Sequence, residues 1–480
     1  MKKQATNELP FIHLFETISG YYLYDVNRNK FIQIPKDVYR FLEHQQKLSE
    51  QNPAPAATET YVNHLMKRGF LKNRHVEKVK HPYTDVAKYF LKHHIVHLVL
   101  QITQSCNLRC EYCVYSGNYR NRTHSNKQMT FETARRAMDY YIAHSRDAEQ
   151  LSVGFYGGEP CLNYKLIQKC VAYMEAAAEG RDVLYSMTTN ATLLDKENID
   201  FFVQHGFHLL ISLDGPEEIH NKHRKFASDR AGTFQTVLQN IQYMKNNHPE
   251  YCHKNVAFNM VVDSENGFFQ LSEFIRKNPV ISDMVFQTNM IDPKNTDAVP
   301  SVNPAYLEEM NYERFLLFLE LLGKVPKGSA SKLLATYGRE LRRTLYENNS
   351  LIMSLPEEGH HSGPCVPGSV RLFVTTDGLF YPCERVSEEL KEAVIGDIDK
   401  GIDLGRAEDL LNYGRQSASR CRNCWAYRCC DQCISYMDED EQRMEKYCEI
   451  TRLNVQERIK DACTLEALGF DYALTEDETE

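Results

Sequence analysis

Six short apolar runs with β character, residues 98–103, 151–156, 183–188, 208–213, 255–262 and 283–289, alternate with longer stretches in which apolar residues return at helical spacing. Ala134, Met138, Tyr141 and Ile142 make one such stripe and Leu166, Cys170, Tyr173 and Met174 another, each at i, i+4, i+7 and i+8. The alternation predicts six βα units, hence a parallel sheet wrapped by helices, with Cys170 in the core. Functional residues in such an array are expected on the loops that follow the strands.

The flanks follow other periods. Phe11–Phe15, Tyr21–Tyr24 and Phe31–Ile34 read as short strands, the last two joined by the turn formers Asp25, Asn27 and Asn29. Val38, Phe41 and Leu42 then space as a helix face, Pro53 and Pro55 mark a linker, and Val62, Leu65 and Met66 belong to a second helix ended by Gly69. Residues 290 to about 360 give a loop and a helix around Phe315, Leu316, Leu319 and Leu322, with no chemistry attached. Phe373–Tyr381 reads as a hairpin turning at Asp377-Gly378.

A chain of 480 residues is too long for one core, so several domains are expected. It contains no apolar run of the roughly 18 residues a membrane span needs, and its N-terminus, MKKQATNELPFIHLFE, lacks a signal-peptide core. A cytoplasmic protein is expected. The net charge of −9 gives no basic footprint for nucleic acid. Fifteen cysteines in a chain with no export signal argue for metal or cluster ligation over disulfides.

Three of them, Cys106, Cys110 and Cys113, form a C-x3-C-x2-C array in QSCNLRCEYCVYSG, directly after the apolar run that starts at His97. Three thiolates can hold three irons of a [4Fe–4S] cluster and leave the fourth open; a zinc knot would want four ligands in paired units. The spacing, the position after a first strand and Tyr112 before the third cysteine resemble the radical S-adenosylmethionine (SAM) superfamily. That resemblance implies an α/β fold with a partial (β/α)6 barrel, and a cluster on Cys106, Cys110 and Cys113. SAM would chelate its open iron and be split to methionine and a 5′-deoxyadenosyl radical. It also implies cofactor contacts at Tyr112 and at Gly157, Gly158 and Glu159, whose glycine-rich backbone would approach the methionyl amino group. Asn190, Ser212 and Asp214, the last two preceding His220 and Arg224, resemble residues lining the cofactor and substrate cavity. Each could equally be a helix cap or turn residue.

Farther on, Cys365, Gly378, Cys383, Cys421, Cys424, Cys429, Cys430, Cys433 and Cys448 follow a pattern that resembles the SPASM auxiliary-cluster domain. It implies one [4Fe–4S] cluster on Cys421, Cys424, Cys430 and Cys448 and another on Cys365, Cys383 and Cys433, three clusters in all; zinc sites are the alternative. The adjacent pair Cys429 and Cys430 departs from the pattern. Either Cys429 supplies a missing fourth ligand, or it is a bystander and an iron stays open for a substrate thiolate. Only Cys430 keeps the x5 spacing, which favours the bystander. His360 and His361 are expected to be solvated loop residues, and Glu111 and Glu384 exposed loop residues rather than general bases.

The N-terminal strands and helices resemble a winged-helix leader-recognition element, and a chain carrying it could lose it without losing SAM cleavage. The domain reading is therefore residues 1–80 for leader recognition, 92–300 for the barrel, 301–360 for a bridging helical segment, 361–465 for SPASM and 466–480 for an acidic tail. The whole resembles radical SAM maturases of Cys-rich peptides of the ranthipeptide or sactipeptide type, which form thioethers between a cysteine sulfur and an acceptor carbon. Expected partners are a Cys-rich precursor peptide with an N-terminal leader and an electron donor such as flavodoxin or ferredoxin. The alternatives are an anaerobic sulfatase-maturing, formylglycine-forming enzyme, an epimerase, or an inactive iron–sulfur or leader-binding protein.

Overall fold

The computed structural model describes residues 9–48, 55–115, 119–296, 301–349, 354–361 and 365–470. Pro53 and the acidic tail beyond residue 470 lie outside them. Strands β1 (Ile12–Thr17), β2 (Gly20–Asp25) and β3 (Lys30–Ile34) form an antiparallel meander. Helices Lys36–Leu48 and Ala56–Lys67 follow it. Alternation along the strands gives the meander two buried faces. Ile12, Leu23 and Ile34 pack with Val38, Leu42, Val62 and Leu65 of the two helices. On the other face, Phe15, Tyr22 and Tyr24 share a core with Leu341 and Leu345 of the helix Ala335–Asn349 and with Val455 and Ile459 of the helix Glu441–Ala467. The N-terminal segment therefore shares a core with helices of the C-terminal half. Removing it would uncover a core face at about 1.5–3 kcal/mol for each large apolar side chain exposed.

Residues Lys78–Val79 (β4) pair with Glu358–Gly359 (β11) and tie the start of the next unit to the segment before Cys365. Then come β5 (Leu98–Thr103), β6 (Gln150–Gly157), β7 (Asp182–Thr189), β8 (His208–Ser212), β9 (Val256–Val262) and β10 (Val285–Met290). They are parallel and lie side by side in chain order. Consecutive order with right-handed crossovers puts every connecting helix on one face. One core joins the strand residues Leu100, Phe155, Met187, Ile211 and Phe258 to Met138, Cys170, Phe202 and Ile241 of those helices. Among the described residues, none of these connecting helices lies on the opposite face.

The C-terminal region extends this sheet rather than standing apart from it. Strand β12 (Leu372–Val374) pairs in parallel with β5, turns at Asp377-Gly378 and returns as β13 (Leu379–Tyr381), followed by β14 (Gly396–Asp397) and β15 (Gly401–Ile402). Gly378 has φ +83°, a left-handed conformation that favours glycine. In the connecting segment, the helix Pro304–Leu321 buries Leu317, while Phe315, expected on its apolar face, is 57% exposed. Among the described residues, no helix is long and apolar enough to cross a membrane.

Candidate active site

The cysteine array leaves the C-terminal end of β5, the position where a parallel sheet presents its functional loops. Cys110 is buried, and Cys106 and Cys113 are half-buried. The Cys106 thiol feels the charges of both Cys110 and Cys113, so the three stand within electrostatic reach of one another. Burial pushes the thiols of Cys106 and Cys110 up to about 12.

Glycines 157 and 158 are required by the protein's own main chain. A Cβ at Gly157 would lie 2.1 Å from the carbonyl oxygen of Thr103, and one at Gly158 2.0 Å from that of Ser105. In their place the Gly158 N–H donates to Thr103 O and the Glu159 N–H to Ser105 O, each at 2.9 Å. The close approach that excludes a side chain is therefore to the start of the cysteine loop, which it fixes to the end of β6. The Glu159 side chain, 1% exposed, accepts at Oε1 from Thr189 Oγ1 at 2.7 Å and Cys161 N at 3.1 Å, and at Oε2 from Asn190 N at 2.7 Å. It locks the end of β7 beside the array. There Asn190 Nδ2 donates to Asn107 Oδ1 at 3.0 Å and stands 3.9 Å from Cys106 Sγ.

Asp214 has no oxygen left for a ligand. Arg224 donates to Oδ2 from Nε at 2.7 Å and to Oδ1 from Nη2 at 3.2 Å. The Tyr112 hydroxyl donates to Oδ2, and the Val261 N–H to Oδ1 at 3.1 Å. Burial alone would raise the Asp214 carboxyl, but the Arg224 guanidinium outweighs it and holds the group below the ordinary carboxylate range. Asp214 thus positions Tyr112. Arg224, which also lowers the thiol of Cys110, was not given a role by the sequence, because its partner lies ten residues back across the helix Glu217–His223. Ser212 ends β8 and is buried. Another unforeseen group is Glu388, whose Oε1 accepts from Arg122 Nε and Gln101 Nε2, both at 2.7 Å. It clamps the C-terminal region to β5 and to the segment after the array.

The sequence model of the Radical SAM superfamily matches residues 100–267, a span that holds every one of these groups except Arg122's partner Glu388. An uncharacterized protein of Methanocaldococcus jannaschii is 30% identical over 232 residues, 48% of this chain and 72% of its own length. The chain belongs to the radical SAM superfamily. The cysteine-type anaerobic sulfatase-maturating enzyme of Clostridium novyi is 26% identical over 346 residues, covering 69% of this chain and 86% of that enzyme. Among solved structures, native anSMEcpe with bound AdoMet superposes with a TM-score of 0.55 at 20% identity, covering 76% of this chain and 99% of the other, a likeness of fold.

A radical SAM enzyme needs a [4Fe–4S] cluster and SAM, and the array suits them. Its thiols are protonated while bare, so ionising them takes a cation such as iron, and Arg224 beside Cys110 balances the anionic cluster that results. Among the described residues, no group of three or more His, Cys, Asp or Glu closes on a single metal ion. A cubane does not require this, since its thiolates reach separate irons.

The C-terminal cysteines divide into groups. Cys421, Cys424, Cys430 and Cys448 line one cavity, together with Arg420 and Arg452, whose charges oppose those of four thiolates. Cys429 is outside it, with the Tyr24 hydroxyl 3.6 Å from its sulfur and its side chain against the core shared with the N-terminal meander. Cys383 feels the charge of Cys433, whereas Cys365 is exposed. His360 and His361, expected in solvent, are buried instead. His360 Nδ1 donates to His361 O at 2.7 Å and its Nε2 accepts from Gly414 N at 3.1 Å, while His361 lines the four-cysteine cavity. Glu384 differs from expectation as well, being mostly buried and paired with Arg371. Glu111 is exposed and pairs with His223 at 3.2 Å.

Proposed function

We propose that this radical SAM enzyme matures a peptide, oxidising a residue of a ribosomally made, Cys-rich precursor to form a thioether between a cysteine sulfur and an acceptor carbon. The observation that carries this reading is the grouping of the C-terminal cysteines. One four-thiol set shares a cavity, and Cys383 feels the charge of Cys433; with Cys365 these two would make a second, three-thiol set whose open iron could take a thiolate from outside. Both belong to a SPASM-type region, at residues 361–465, carrying two auxiliary clusters.

With its cluster reduced and SAM bound, the Cys106, Cys110 and Cys113 site supplies a radical able to remove a hydrogen atom from an acceptor side chain. The residues of this chain hold the parts in place. Gly157 and Gly158 bring the end of β6 against the cysteine loop, Glu159 orders Asn190 beside Cys106, and Asp214 with Arg224 orients Tyr112. Tyr112, Asn190, Ser212 and the Gly157-Gly158 backbone are the groups that would meet SAM. Forming the C–S bond from C–H and S–H releases two hydrogens. One would leave as an atom and the other as a proton with one electron, the atom to be taken up by SAM chemistry at the Cys106, Cys110 and Cys113 site and the electron by clusters that the cysteines of this chain would hold.

The second reading, formylglycine formation, is favoured by the sulfatase-maturating relative that matches along most of both chains. Mass spectrometry of a Cys-rich precursor coexpressed with this chain separates the two. A loss of two hydrogens with the cysteine blocked to alkylation supports the thioether, and exchange of cysteine sulfur for an aldehyde oxygen supports the alternative. An unmodified peptide under SAM turnover would sink both.

The closed or open state of the second auxiliary site is testable at Cys429. With its sulfur against Tyr24, Cys429→Ala is expected to keep the full iron content and product formation. Loss of a whole cluster's iron from that variant, measured by iron and sulfide assay, would instead make Cys429 a ligand and the site closed.

A further inference from the structure

On the face of the parallel sheet opposite the connecting helices lies a cavity of about 400 Å3, within the range of small-molecule and side-chain binding sites. Its floor carries Tyr156, Ser186 and Thr188 from β6 and β7. Gly154 lies there too, where a Cβ would come within 2.7 Å of His97 Nε2, so the bare glycine makes room for that imidazole. Its wall is built from Lys254 and from Arg371, Glu384 and Arg385, which flank Cys383 in the folded chain. Tyr156 on the floor feels the charges of both Glu384 in the wall and Cys113 of the array.

The charge of this lining runs against that of the chain. In a protein of net charge −9, two arginines and a lysine face one carboxylate. Arg371 is taken by Glu384, but Lys254 and Arg385 make no ion pair among the described residues and are exposed at the mouth. Glu384 Oε2 is buried without a hydrogen-bond partner, an acceptor waiting for a donor. A concave site with two free cations and one free acceptor concentrates a ligand that brings a carboxylate together with an N–H group.

We infer that this cavity seats an acidic side chain of the substrate peptide next to the residue being modified, its carboxylate paired with Lys254 and Arg385 and a peptide N–H donating to Glu384 Oε2. The inference rests on the reading that the substrate is a peptide. The test is an mRNA-display selection, from a random library with one fixed central cysteine, against the reconstituted full chain with SAM. Asp and Glu near the cysteine are expected to be enriched about fivefold, the scale of a partly exposed ion pair. The enrichment should vanish with K254Q/R385Q and turn toward Lys and Arg with K254E/R385E, iron content and unfolding midpoint confirming that each variant is folded. Captured peptides without acidic bias, or a bias that survives K254E/R385E, would overturn this inference and leave the peptide reading standing. Capture of no peptide above background would overturn the peptide reading itself, and this inference with it.

Discussion

Replacing Cys106, Cys110 and Cys113 together by alanine is expected to abolish 5′-deoxyadenosine formation while about two clusters' worth of iron remains, because each cubane needs its own thiolates. The loop should survive the change, since its position is set by other bonds. Gly158 and Glu159 donate to the main chain of Thr103 and Ser105, Arg109 Nη1 donates to Cys106 O at 2.7 Å, and Arg109 N donates to Lys225 O at 3.0 Å. None of these involves sulfur. Lost SAM cleavage together with partial iron retention would therefore report the missing cluster and not an unfolded chain, a distinction that circular dichroism and iron assay make directly. Retained 5′-deoxyadenosine formation in the triple variant would remove the array from the chemistry altogether.

What could be read from the sequence was whatever repeats at a fixed local period or spacing. The six parallel strands fall within two residues of the predicted runs, and the Phe373–Tyr381 hairpin turns where Asp-Gly placed it. Long-range charge pairing left no such trace. Asp214 stood out because it follows a strand end, yet Arg224, Tyr112 and Val261, which engage both of its oxygens, come from three separate segments. Glycines 157 and 158 were recognisable as a place where a Cβ cannot fit, but the neighbour that excludes it, the main chain of residues 103–105, emerges only when β5 and β6 pair. His360 and His361 were placed in solvent for want of a periodic context. The wall that buries them, including Tyr413, lies about fifty residues farther along the chain.

The second large effect is expected at Asp214. In Asp214→Ala the Arg224 guanidinium, 8% exposed, is left without its anion, and breaking one partner out of a buried pair costs about 3–5 kcal/mol. Tyr112 loses its anchor in the same step, so SAM cleavage should fall with stability. Adding Arg224→Met should recover part of the stability, because removing both partners of a buried pair costs far less than removing one. It should not recover SAM cleavage, since Tyr112 stays unpinned. Urea unfolding with a 5′-deoxyadenosine assay on the single and double variants separates the two consequences. The wild-type pH response follows from the same pair. The folded carboxyl is held below its unfolded value of about 4, so its contribution is complete above that value and is lost as pH falls through the lower, folded one. The acid limb of the stability curve should thus flatten in the Asp214→Ala/Arg224→Met double variant. If the limb keeps its wild-type slope, the pair is not the group whose protonation loosens the cysteine loop.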